Sequence, residues 1–220
     1  MFTQFACSSD EYAVQPIHGW SVHINRALLG DDNELGEQAI ALLENKLFEA
    51  QRVIPEAALE QLRGVNIWLD REHEPFPGAV YHPSADWLRE NGHNPEMAGG
   101  VHIANATNFL NWTREQPLMV VHEFSHAYHH QVLGYDHEGI KAAYAHAVES
   151  KKYESVLRYN GERQRAYALN NEQEYFAEAS EAFFGTNDFY PFVRAELKHH
   201  DPQMFELLER VWNHPPPQSE

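Results

Sequence analysis

The chain has 220 residues, 43% of them hydrophobic and 12% aromatic, with a formal net charge of −17. That length fits one domain, or one domain with two lobes, and the apolar content is enough for a packed core, which excludes a disordered chain. The acidic balance argues against nucleic acid and anionic membrane as partners, because both select Lys/Arg-rich surfaces.

The N-terminal stretch MFTQFACSSDEY has neither a basic n-region nor an apolar h-region, so no secretory signal is expected in it. With no transmembrane run either, the chain is expected to be soluble and cytoplasmic; a secreted or periplasmic location would require a signal removed from it. Cys7 is the single cysteine, which rules out an internal disulfide framework and a cysteine-based zinc site. Any metal must therefore be held by histidine and carboxylate.

Strands and one long helix are expected first. GWSVHIN alternates Trp20, Val22 and Ile24 on one face of a strand. The amphipathic stretch from Asp32 to Ile54 predicts a helix that stops before Pro55, and EAALEQL predicts a short one. GVNIWLD alternates Val65, Ile67 and Leu69 as a strand. A loop (REHEPFPG), a short strand (GAVYH), a short helix with its loop, and a further strand over Gly99–Ala106 follow.

From Thr113 the pattern is helical. The first helix pairs Thr113 with Gln116 as a capping box, places Pro117 in its first turn, buries Val120, Val121, Phe124, Tyr128 and Val132, and ends at Gly134. A second runs from about Ile140 to Tyr159, stopping at Asn160-Gly161. The third, NEQEYFAEASEAFF, stops at Gly185. A last helix starts with Asp201 as N-cap and Pro202 at N1 and ends near Trp212. The expected fold class is α+β: a small mixed-sheet lobe with a helix over about 12–112, a helical lobe over about 113–212, and a tail over 213–220.

The chemistry concentrates in MVVHEFSHAYHHQ, which contains H-E-x-x-H as His122, Glu123 and His126. Residues four apart on a helix share a face, so His122 and His126 can each give a ring nitrogen to one metal ion. Glu123 is turned about 100° away from His122. It is poorly placed as a ligand but can reach a water on the metal, which is a general base's position. Fifteen histidines make a chance H-E-x-x-H a live alternative, so the downstream sequence has to decide.

A catalytic zinc site needs a third protein ligand. The extension H-E-x-x-H-x-x-G-x-x-H fails, because His129 and Val132 hold its last positions. The third helix instead offers Glu174, Glu178 and Glu181 at helical spacing; Glu174 and Glu178 share a face, so one can bind the metal while the other holds a ligand histidine from behind. The blander alternatives are a capping-box role for Glu174 opposite Asn171 and plain solvated positions for Glu178 and Glu181. His129 and His130 are expected on a partly wet helix end, His137 in a loop, and His18, His23, His73, His82, His93, His102 and His146 in incidental positions.

HEFSHA followed by AYALNNEQEYFAEASEAFF resembles the gluzincin metallopeptidases, a zincin-type group. Two families come nearest: the protease domain of anthrax lethal factor with the Pro-Pro endopeptidases, and the Mlc titration factor (MtfA-type) peptidases. In both, a Tyr precedes an E-[FY]-F-A segment by seven residues, as Tyr167 precedes Glu174 here. The likeness runs from about Thr113 to Trp212, where HHDPQMFELLERVW also resembles the MtfA-type final helix. The resemblance implies zinc held by His122, His126 and Glu174, with Glu123 as general base and Tyr167 as oxyanion donor. It further implies that Glu178 accepts from a ligand histidine, as in the lethal-factor pattern. It also implies a peptide or protein substrate lying extended along an edge strand, for which Gly99–Ala106 is in the right place in the order.

Two functions from different classes follow. One is a zinc metallopeptidase; the other is a zinc-binding regulatory or interaction protein whose peptidase site is latent or degenerate. The presence of both Glu123 and Tyr167 favours the first, since a purely structural site needs neither. A toxin-like protease rests on the lethal-factor resemblance alone, and nothing in the chain resembles a delivery domain.

Overall fold

The computed structural model describes residues 11–30 and 33–216, so Cys7 and most of the N-terminal stretch lie outside the described residues, as does the end of the tail. The chain divides into two compact units, Met1–Leu47 with Arg63–Asn111, and Phe48–Leu62 with Trp112–Glu220. One boundary between the units falls between Asn111 and Trp112. The segment 48–62, which the sequence reading assigned to the first lobe, belongs to the second unit.

The first unit is a five-stranded sheet in the order β1-β2-β3-β5-β4. Strands β1 (Tyr12–Ile17) and β2 (Trp20–Asn25) form an antiparallel hairpin in which Ile17 pairs with Trp20. The two residues between them, His18 and Gly19, both have positive φ (49° and 91°). This is what a two-residue turn needs if its twist is to match that of the strands. In β2, Trp20, Val22 and Ile24 are buried in alternation as expected. Helix α1 (Glu34–Val53) follows with Ala39, Leu43, Leu47 and Ala50 as a buried stripe at 3.6-residue spacing. It begins in the first unit and ends in the second, where the short helix α2 (Glu56–Leu62) follows it.

The chain then returns to the sheet with β3 (Ile67–Leu69), parallel to β2. Strand β4 (Ala79–Tyr81), helix α3 (Ala85–Glu90) and β5 (Val101–Ile103) come next, with β5 parallel to β3 and antiparallel to β4. The expected edge strand at 99–106 is therefore corrected. β5 has a neighbour on each side, and the outer strands of this sheet are β1 and β4. A strand so paired has already spent its backbone donors and acceptors and cannot add a peptide. The residues after it, Ala106–Trp112, form helix α4.

The second unit is helical. Thr113–Glu115 form a turn, and α5 (Met119–Tyr128) starts at Leu118 without a side-chain cap, so the Thr113/Gln116 capping box does not form. Pro117 explains the later start, because it disfavours helical geometry at Gln116. Val120, Val121, Phe124 and Tyr128 are buried. The helix runs on into a π-helical turn, His129–Leu133, which stops at Gly134 with φ 80°. His129 is fully buried there rather than on a wet face, and burial lowers its imidazole to a pKa of about 3.

Helix α6 (Glu138–Ser150) is capped by His137, whose Nδ1 accepts from the Ile140 amide at 3.2 Å. It ends at Lys151, in left-handed geometry, nine residues short of the expected stop. A small hairpin of β6 (Val156–Leu157) and β7 (Arg163–Gln164) takes the Asn160-Gly161 turn instead. Helix α7 (Glu172–Phe184) has the expected bounds, with Asn171 Oδ1 accepting from the Glu174 amide at 2.8 Å. Helix α8 (Arg194–His200) was not foreseen. Helix α9 (Pro202–Asn213) was, with Asp201 capping Met204 N at 3.1 Å.

Helix α9 fastens α5 and α7. Trp212 stacks on Tyr128 with ring centres 4.2 Å apart and donates Nε1–H to Ser180 Oγ at 3.2 Å. Tyr128 donates to the Val211 carbonyl at 2.7 Å. Asp201 also accepts from Tyr175 on α7 at 2.6 Å and from Tyr153 at 3.1 Å. Replacing Asp201 by Ala removes the cap, worth ~1 kcal/mol, and strands two buried hydroxyls. The expected loss is about 2–4 kcal/mol in a urea-unfolding titration, with Asp201→Asn, which keeps a cap oxygen, losing less.

Candidate metal centre

The second unit brings together the residues singled out on α5 and α7. His122 and His126 lie one turn apart on α5, with their Nε2 atoms 3.1 Å from each other. Glu174, in the first turn of α7, places Oε2 3.1 Å from His122 Nε2 and 3.4 Å from His126 Nε2. The three atoms form a nearly equilateral triangle. Ligands about 2.0–2.1 Å from a tetrahedral zinc ion stand ~3.3 Å apart, so the triangle has the size zinc requires. Two imidazole nitrogens and one carboxylate oxygen are also the donor chemistry that zinc takes. Among the described residues this is one of the groups able to hold a metal ion.

The second side of His122 is met by a different glutamate from the one expected. His122 Nδ1 lies 2.7 Å from Glu181 Oε1. Glu178, to which the resemblance assigned this contact, accepts instead from Asn187 Nδ2 at 3.2 Å. Seven residues along α7 is nearly two full turns, so Glu181 returns to the face of Glu174 and the two carboxylates approach one imidazole from its two nitrogens. Glu178 is also buried beside them, but it faces the 187–188 turn. The sequence held the signal for Glu181 in its i, i+7 spacing from Glu174. It held none for the choice between Glu178 and Glu181, which the packing of α7 against α5 decides.

Electrostatically the site is a buried acidic stripe against imidazoles. Burial alone would lower the His122 pKa, but hydrogen bonds to Glu174 and Glu181 raise it well above the ordinary value. Burial opposes ionisation of Glu174 too, yet its bonds to His122 and His126 hold its carboxyl well below the usual range. Glu178 and Glu181 both move up through burial, and Glu178 moves further through repulsion by Glu181. Glu123 is 6% exposed and close enough to influence His122, Glu181 and Tyr167.

Tyr167 opens a 3-10 turn, Tyr167–Leu169, just before α7, and is 47% exposed. Its hydroxyl is raised by partial burial and then by the charge of Glu174, with His122 and Glu123 also within its field. The arrangement thus has a metal-sized triangle of donor atoms, an acid beside it, and a partly exposed phenol close enough to feel their charge.

Comparison with solved structures finds a likeness to a Pro-Pro endopeptidase from Paenibacillus alvei, with 20% identity, a TM-score of 0.48, and coverage of 83% of this chain and 92% of that one. No family model matches the chain. No curated protein matches it either.

The contact between Glu181 and His122 yields a quantitative expectation. Glu181→Ala leaves the His122 ring without its acceptor and is expected to weaken zinc binding ~10–100-fold in a competition titration with a chelating dye. Glu178→Ala, tested in parallel, is expected to stay close to wild type.

Proposed function

We propose that this chain is a zinc metallopeptidase of the gluzincin type, with His122, His126 and Glu174 holding the metal. The observation that supports the reading most is the 3.1–3.4 Å triangle of their ligand atoms. Zinc held there would act as a Lewis acid and make a water nucleophilic near neutral pH.

The chain's own residues supply the rest. Glu123 follows ligand His122 directly in sequence and so points to one side of the ligand face of α5. There it takes the proton of the attacking water and delivers it to the leaving amine. Tyr167 directs its hydroxyl toward the oxygen of the scissile carbonyl and donates to it as negative charge develops. Its raised pKa keeps the phenol protonated, which this role requires. Glu181 accepts from His122 Nδ1, orienting that ring and making it a better donor to the metal. The substrate is a peptide or protein; the acidic chain gives no support for nucleic acid or an anionic membrane. No helix among the described residues is long and apolar enough to cross a membrane.

Three substitutions test the reading. Glu174→Ala is expected to lose most of the zinc that the wild type keeps through dialysis, as read by elemental analysis. Glu123→Ala is expected to keep its zinc and fold but to show no cleavage of a mixed-sequence peptide library followed by mass spectrometry. Tyr167→Phe is expected to lower kcat ~10²–10³-fold, the usual cost of one oxyanion donor. A Glu123→Ala variant that cleaved at the wild-type rate would overturn the mechanism. Retained zinc with no cleavage by the wild type would turn the site into a non-catalytic binding centre.

A further inference from the structure

The first unit holds a second cluster of metal-ligating side chains, none of which the proposed peptidase chemistry uses. Asp70, at the end of β3, is 1% exposed. Its Oδ2 lies 2.8 Å from His102 Nε2, on β5, and 3.4 Å from His73 Nδ1, in the loop after β3. These three atoms all fall within 4.8 Å of one another. Each histidine is held from behind by another one. His102 Nδ1 lies 3.1 Å from His82 Nε2, and His73 Nε2 lies 3.2 Å from His93 Nδ1. The carboxylate is steadied by Asn25 Nδ2 on Oδ1 at 2.6 Å and by the Tyr12 hydroxyl at 2.9–3.0 Å.

We propose that Asp70, His73 and His102 bind a divalent transition-metal ion, zinc in the first place, in a site of the first unit.

Four features support the assignment. The donor set, two imidazoles and one carboxylate, is that of a zinc or non-haem metal centre. The contacts behind the ligands are those metal sites use: a ligand imidazole that binds through one nitrogen needs its other N–H accepted, and His82 and His93 stand at those positions. The Asp70 carboxylate is 1% exposed and ringed by His73, His102, Asn25 and Tyr12. The site thus has a buried carboxylate among imidazoles. Among the described residues its ion-pair partners are the two histidines rather than a guanidinium or ammonium group. A divalent cation would compensate that charge. Finally, the site has a way in: His73 has 24% of its side chain exposed, and His93 is half-buried beside it. A metal here would tie the 71–78 loop to β3 and β5.

The experiment is zinc stoichiometry by elemental analysis of the full chain, after incubation with zinc and desalting. The variants are His73→Ala, whose partly exposed position leaves the core filled, and His122→Ala/His126→Ala, which removes the peptidase ligands. About two zinc ions per wild-type chain are expected, about one in each variant, and none when all three substitutions are combined. Circular dichroism on each sample verifies the fold. A His122→Ala/His126→Ala protein that retains no zinc overturns the proposal, and so does one whose zinc persists when His73→Ala is added. The peptidase reading fails by a different result: one zinc in the wild type that His73→Ala removes and His122→Ala/His126→Ala leaves in place.

Discussion

The second unit depends on one imidazole being gripped from both nitrogens by the same helix. Glu174 and Glu181 stand nearly two turns apart on α7, and both reach His122 of α5. This contact requires one rotation of α7 about its own axis, with Glu174 and Glu181 both turned toward α5. It is costly in isolation. Three carboxylates and two histidines are drawn out of water into a small space, and two of the carboxyls respond by moving up in pKa. Such an arrangement persists when the surroundings over-determine it, or when a cation completes it.

Those surroundings are aromatic and lie on the far side of α7 from the acids. Tyr128, Phe176 and Trp212 stack across α5, α7 and α9, and the polar end of each contact finds a partner: Trp212 on Ser180, Tyr128 on the Val211 carbonyl, Tyr175 on Asp201. Helix α9 thus presses the helices that carry His122, His126 and Glu174 into register. The π-helical turn at His129–Leu133 falls just after His122 and His126, and such turns often mark functional sites.

The two histidine clusters differ in how far a reader of the sequence could have seen them. His122 and His126 are four apart in a helical pattern, so their shared face follows from the rise and period of a helix alone. Glu174 is singled out by the resemblance, through its place seven residues after Tyr167; helical spacing alone leaves it level with Glu178 and Glu181. In contrast, His73, His82, His93 and His102 are spread over a loop, strand ends and a strand, each isolated among ordinary neighbours, and read one by one they are incidental. His102 sits centrally in Val-His-Ile, a fully buried strand, yet a buried histidine names no partner until its sheet register is known. Likewise Pro117 delays α5 through a backbone preference that hydrophobic periodicity does not detect, and Lys151 ends α6 in left-handed geometry, which a lysine disfavours and its local sequence does not announce.

The sequence by itself determined the local chemistry: an H-E-x-x-H helix, an acidic helix capped by Asn171, a final helix capped by Asp201, and an alternating β2. Each is set by neighbours within about two helical turns, where spacing translates directly into direction. Only the tertiary structure decided that Glu181 rather than Glu178 meets His122, that β5 is interior rather than an edge, that residues 48–62 join the helical unit, and that four scattered histidines gather on Asp70. Those outcomes depend on how one element is rotated and paired against another. That is set by core packing summed over many distant side chains, and no single stretch of sequence contains it.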